Sequence, residues 1–180
     1  LMGICGSDKN FYRGYLPPKT AEFRQDPKFP FLLGHECAGE VVALGEGVQG
    51  LCVGDRVALE PGIPCGKCEM CMTGRYNLCP DVVFFATPPV QGGLCEYVAH
   101  PASLCFKLPD TLDFEEGALI EPLAVGFHAA MQGGARAGQT AVVMGAGCIG
   151  LVSMMALKAM GVSRVYVVDI MEKRLEKAME

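Results

Sequence analysis

Four cysteines, Cys65, Cys68, Cys71 and Cys79, fall within the stretch PCGKCEMCMTGRYNLC. Thiolates are soft donors, and three of them at intervals of three residues, with a fourth eight positions on, can wrap one tetrahedral ion. A site of four sulfur ligands has no open position for a substrate. The chemistry predicted for this cluster is therefore a structural zinc, holding a loop that burial alone does not hold. An iron–sulfur cluster is the rival occupant, and disulfides are the alternative in an oxidising compartment.

A second pattern is Gly145-Ala146-Gly147-Cys148-Ile149-Gly150, a G-x-G-x-x-G between the apolar run TAVVMGAG and the helical run CIGLVSMMALKAMG, with the apolar RVYVVD beyond. Strand, helix and strand within about 30 residues make a βαβ unit of a parallel sheet. There the glycines permit a tight turn and close approach of a pyrophosphate, and the helix N-terminus at Cys148 and Ile149 offers unpaired N–H groups. Asp169 lies nineteen residues beyond Gly150, where a carboxylate accepts hydrogen bonds from ribose hydroxyls and repels a 2′-phosphate; NAD is expected over NADP. The plainer alternative is that the glycines only pack helix on strand and Asp169 caps a surface helix.

Three further places put ligand-type side chains in unusual settings: Cys5 in GICGSD, His35 with Glu36 in LLGHECAGE, and Glu121 in LIEPLAVG. A catalytic zinc takes three protein ligands and keeps one position open. Glu121 is a carboxylate in an apolar stretch, costly there unless paired or near a metal. Taken singly, a buried thiol, a core histidine and a helix-end carboxylate are the ordinary readings of these residues.

The elements that must position these groups divide at about residue 113. The chain before it is rich in glycine and proline, and short apolar runs, GEVVALG (39–45) and DRVALEP (55–61), predict strands of an irregular β domain. Residues 62–93 read as loop, and strands return at LCEYVAH (94–100) and around 104–108. From Asp113 an acidic first turn opens a helical pattern that leads into the βαβ unit.

The chain has 180 residues, 51% of them hydrophobic and 19% charged, which is the balance of a packed protein. A net charge of −5 and a pI of about 5.2 argue against a nucleic-acid or anionic-membrane partner, and no apolar run is long enough for a membrane span. The six cysteines outside the cluster sit in apolar or glycine-rich surroundings, which predicts reduced thiols and a cytoplasmic setting. The sequence opens on Leu1 and stops at Glu180 inside the helical pattern MEKRLEKAME, which predicts a piece of a longer chain.

In order along the chain, GICGSD, GHECAGEV, VGDRVALEPG, the cysteine run, FFATPP, GGLCEYV, EEGALIEPLAVGFHA and GAGCIGL resemble the zinc-dependent medium-chain dehydrogenases, and within them the polyol dehydrogenases. The resemblance implies a GroES-like irregular β-barrel catalytic domain over 1–122 and the start of a Rossmann doubly wound parallel sheet over 123–180, each incomplete at its outer end. It implies an active-site zinc at Cys5, His35 and Glu36, with Glu121 binding directly or through water. It gives Ser7 a hydrogen bond to the reacting oxygen and makes Tyr12, Phe84 and Phe85 pocket residues. The activity implied is NAD-dependent oxidation of a sugar alcohol (sorbitol, L-iditol or xylitol) to its ketose by a homo-oligomer, a tetramer by resemblance, with these 180 residues inactive alone. The rivals are threonine, butanediol and glucose dehydrogenases, or a non-catalytic relative that binds NAD and zinc.

Overall fold

A computed structural model describes residues 1–14 and 32–180, and the chain divides into two compact units, Leu1–Leu119 and Ile120–Glu180. The first unit contains strands β1 (Ala38–Glu40), β2 (Arg56–Leu59), β3 (Gly62–Ile63), β4 (Val83–Phe84) and β5 (Cys105–Lys107), and helices α1 (Gly6–Tyr12), α2 (Glu69–Met72) and α3 (Phe114–Ala118). β1, β2 and β5 form an antiparallel sheet in that order, with Gly39 opposite Val57 and Ala58 opposite Phe106. Val57 and Ala58 are adjacent and both buried, so the central strand is covered on both faces, as successive side chains point to opposite sides. On one side Gly117 of α3 lies against Ala38 and Leu108, where a Cβ would come within 3.0 Å and 2.6 Å of their carbons.

The start of α3 follows its sequence signal. Asp113 accepts from the Glu116 N–H at 2.8 Å while Glu116 accepts from the Asp113 N–H at 3.0 Å, a reciprocal cap. The single helix expected after Asp113 is instead two, α3 and α4 (Ile120–Gln132), with a break at Leu119. Pro122 explains the break: it has no N–H for the carbonyl four residues back and is tolerated only in a first turn.

Two other expectations are corrected. The run LCEYVAH forms no strand; Leu94 and Tyr97 are exposed, and an alternating apolar pattern becomes a strand only where an edge is available to pair with it. The segment expected as loop over 62–93 carries a short antiparallel pair, with Gly62 opposite Phe84 and Ile63 opposite Val83. Between β3 and β4 the cysteine lobe holds α2 and one 3-10 turn, Tyr76–Leu78.

The second unit begins with α4 and continues through β6 (Thr140–Met144), α5 (Cys148–Ala159), β7 (Arg164–Val168) and α6 (Glu172–Met179). β6 and β7 are parallel, Val142 opposite Tyr166, which is the βαβ unit of a Rossmann sheet. Ala130, Ala156, Leu157 and Val162 form its core, with Ala141, Val143 and Val165 packed around them. Among the described residues, no helix is long and apolar enough to cross a membrane.

Candidate metal centres and dinucleotide loop

Cys5 Sγ, a ring nitrogen of His35 and a carboxylate oxygen of Glu36 lie within 4.8 Å of one another. Cys5 is the extended residue that opens α1, and His35 and Glu36 run into β1. Asp8 joins these two segments. Its carboxylate is buried, Oδ2 accepting from the Cys5 N–H at 2.8 Å and Oδ1 from the Gly34 N–H at 3.1 Å. Each oxygen takes one backbone amide, so Asp8 ties the Cys5 backbone to that of Gly34, the neighbour of His35.

Gly3 closes the site from behind. Its N–H donates to the Glu36 carbonyl at 2.8 Å, and a Cβ there would stand 2.3 Å from Glu36 Oε2. Any larger residue displaces the carboxylate. The set of one sulfur, one nitrogen and one oxygen is what zinc binds, and three protein donors leave a fourth tetrahedral position for substrate. Glu36 is only 8% exposed, and a carboxylate so buried needs a positive partner. The residues therefore fit a catalytic zinc.

Around this cluster, the Phe84 ring lies 5.7 Å from the His35 ring at 55°, and Phe85 is buried beside it in sequence. Ser7 is half-buried in the first turn of α1, and Tyr12, at the other end of that helix, is 88% exposed. Glu121 is half-buried in the first turn of α4, in the second unit. Sequence reasoning missed Asp8, although its position three residues after Cys5 is where a helix-capping carboxylate falls.

The four cysteines of the lobe also converge. Cys65 Sγ is 4.0 Å and Cys68 Sγ 3.4 Å from Cys71 Sγ, and Cys79 Sγ accepts from the Cys65 N–H at 3.3 Å. Tetrahedral zinc–sulfur bonds of about 2.3 Å place sulfurs about 3.8 Å apart, so the thiols already stand at coordination spacing. Backbone N–H groups of Lys67 and then Cys68 lower the Cys65 thiol to about 7, whereas loss of water and then the Cys68 thiol push Cys71 up to about 12. Four crowded thiols cannot all ionise without a cation among them, and zinc binding here would expel protons.

In the second unit, Gly145 takes φ +102°, a left-handed conformation suited to glycine, and its N–H donates to the Val168 carbonyl at 2.7 Å. At Gly150 a Cβ would stand 1.8 Å from the Gly145 carbonyl oxygen, so α5 starts directly against the turn only because that residue is glycine. Gly147 is the N-cap of α5, and Cys148 and Ile149 form its exposed first turn. Asp169 does not cap α6, a place taken by Met171. Its Oδ2 accepts from the Ala146 N–H at 2.8 Å and its Oδ1 from the Met171 N–H at 2.9 Å, with Arg174 Nη1 at 3.5 Å. The Ala146 amide first, then the Met171 amide, hold its carboxyl below the usual range, so it is ionised beside the glycine turn. The turn, the helix N-terminus and the carboxylate together fit the adenosine half of a dinucleotide.

These features agree with known proteins. Residues 1–110 match the family described as the alcohol dehydrogenase GroES-like domain. The sorbitol dehydrogenase of Arabidopsis thaliana is 51% identical over 179 residues, which cover 99% of this chain and 48% of that protein. A solved Escherichia coli oxidoreductase/dehydrogenase of unknown specificity superposes with a TM-score of 0.88 at 48% identity, over 99% of this chain and 50% of that one. The 2R,3R-butanediol dehydrogenase of Bacillus subtilis gives a TM-score of 0.82 at 40% identity, over 99% and 51%. The chain thus spans about half the length of these relatives. It belongs to the zinc-dependent medium-chain dehydrogenases, in their polyol dehydrogenase family.

Proposed function

We propose that the whole protein oxidises a sugar alcohol, such as sorbitol, L-iditol or xylitol, to its ketose with NAD. The observation that carries this reading is the convergence of Cys5, His35 and Glu36 within 4.8 Å, three donors with a fourth position free. When bound, zinc supplies Lewis acidity toward the substrate hydroxyl and NAD supplies a hydride acceptor. Cys5, His35 and Glu36 hold the metal, and Glu121 is the further carboxylate that the polyol family places beside it. Ser7 hydrogen-bonds the reacting oxygen, and by analogy with the polyol relatives the hydroxyl proton leaves through water to the Glu121 carboxylate. Phe84, Phe85 and Tyr12 form walls of the pocket.

The adenosine ribose is held by Asp169, whose ionised oxygens favour the free 2′-hydroxyl of NAD and repel the phosphate of NADP. Cys65, Cys68, Cys71 and Cys79 hold a second zinc away from substrate, since four thiolates close its coordination. The whole protein is a tetramer in the cytoplasm by this reading. Steady-state assay tests it: NAD is reduced with at least one of the three sugar alcohols, and two zinc ions are present per chain. Turnover of threonine, 2,3-butanediol or glucose with none of the sugar alcohols would refute the substrate assignment.

A further inference from the structure

Phe84 and Phe85 are held from both sides. The Phe84 ring faces His35 and lies over Gly62, where a Cβ would come 3.3 Å from Phe84 Cδ2. Phe85 donates its N–H to the Pro61 carbonyl at 3.1 Å, and its ring meets that of His100 edge-on, centroids 4.9 Å apart at 70°. The next residue, Ala86, is buried and takes φ +56°, a left-handed conformation that side chains other than glycine rarely adopt.

His100 is fixed in turn. Its Nε2 is 2.9 Å from the Glu60 carbonyl oxygen. A carbonyl only accepts, so Nε2 carries the hydrogen and Nδ1 is the bare acceptor of a neutral ring. Nδ1 is buried with no hydrogen-bond partner among the described residues. Glu60 is itself bonded at two points: its N–H donates to the Leu104 carbonyl at 2.9 Å, and its carboxylate accepts from Tyr76 Oη at 3.2 Å. Two unfavourable features, an acceptor without a partner among the described residues and a left-handed alanine, therefore flank two consecutive phenylalanines, the first of which reaches His35. Folds retain such features where the surrounding structure over-determines them, and they cluster at working sites.

We propose that His100 is a positioning residue: hung from the Glu60 carbonyl, it fixes Phe85 and thereby the Phe84 ring against His35. Resting on the polyol reading above, this placement sets how well the sugar alcohol fits, without His100 touching it.

The test uses the whole, zinc-loaded protein labelled at histidine Cε1. His35, His100 and His128 are the only histidines in this chain, and the His35 signal is assigned by its loss in His35→Gln. His100→Phe keeps a ring but not the donor; His100→Gln keeps the donor but not the ring. In both variants the His35 ring-proton signal is expected to move, because the Phe84 ring current moves. The KM for the preferred sugar alcohol rises about tenfold while kcat stays within about twofold. An unmoved His35 signal with KM unchanged, whatever happens to Tm or kcat, overturns the proposal. If the unsubstituted protein oxidises no sugar alcohol and the His35 signal still moves in the variants, the positioning role stands and the substrate reading alone fails.

Discussion

Replacing Asp8 by asparagine tests whether the zinc proposed at Cys5, His35 and Glu36 depends on a residue outside that ligand set. In the native protein the two carboxylate oxygens of Asp8 take one N–H each, from Cys5 at 2.8 Å and from Gly34 at 3.1 Å. Asparagine keeps one acceptor oxygen and turns an NH2 toward the other amide, so one bond is lost and donor faces donor. A hydrogen bond to a charged group is worth about 1.5–3 kcal/mol, and a buried amide left unpaired costs about 1–3 kcal/mol. Part of that loss is relieved by the Cys5 and His35 segments moving apart, which is what a metal bridging them resists. Partners that orient metal ligands typically contribute about 10–100-fold in affinity, or about 1.4–2.8 kcal/mol, the size of one such bond. Asp8→Asn is therefore expected to weaken zinc at the Cys5 site about 10–100-fold and to leave the four-cysteine site, which shares no bond with Asp8, unchanged. Zinc per chain, counted after dialysis against graded chelator buffers, gives the answer: the variant falls to one zinc at a free-zinc level where the parent protein keeps two. If both sites in the variant titrate with the parent's affinities, Asp8 does not set the ligand spacing and the reasoning is wrong.

Gly3→Ala brings a carbon to 2.3 Å from Glu36 Oε2 and is expected to lower kcat on the order of 100-fold, since displacing a site group by about 1 Å carries that penalty; turnover within a few-fold of the parent would show that Glu36 can move freely. Asp169→Asn removes the charge beside the glycine turn, and the ratio of kcat/KM for NAD over NADP is expected to fall about tenfold; an unaltered ratio would place cofactor choice elsewhere. Burial holds the His100 imidazole below its ordinary value of 6.5, with the Glu60 carbonyl opposing this in part. The unfolded chain then binds a proton that the folded chain refuses, so the His100 contribution is complete above about pH 6.5 and is lost as the pH falls through that value toward the lower folded one. Calorimetric Tm from about pH 8 down to about pH 5 should drop more steeply in the parent than in His100→Gln, and equal slopes would contradict this sign.

What the sequence made legible was the chemistry whose partners lie close together along the chain. Cys65, Cys68, Cys71 and Cys79 span fifteen positions, and their thiols converge with little help from the rest of the unit. The strand, glycine turn and helix from Thr140 to Ala159 follow from short-range pattern in the same way, and β7 pairs in the parallel sense that a crossover helix requires. The features that escaped depend on a neighbour remote in sequence. Leu94–His100 has the alternation of a strand but joins no sheet among the described residues, although the Leu94 N–H reaches the Leu33 carbonyl and His100 the Glu60 carbonyl, and periodicity contains no information about which edges are free.

Asp8 shows the same limit within the motif GICGSD. In GICGSD it reads as a cap for its own helix, and nothing local says that its second oxygen takes an amide 26 positions away. That second bond is the one that brings Gly34, and with it His35, to Cys5. The ligand types of a dispersed metal site can thus be named from sequence, while the backbone bond that assembles them is a property of the fold. The three nearest-neighbour facts on which the site turns, Asp8 bridging the Cys5 and Gly34 amides, Gly3 under Glu36 and Phe84 against His35, each tie together segments more than 20 positions apart. A relative that kept Cys5, His35 and Glu36 but lost Asp8 or Gly3 would retain every ligand type and still lack a preformed centre. The ligand triad alone is therefore a weaker sign of a working site than the triad together with the residues that hold it.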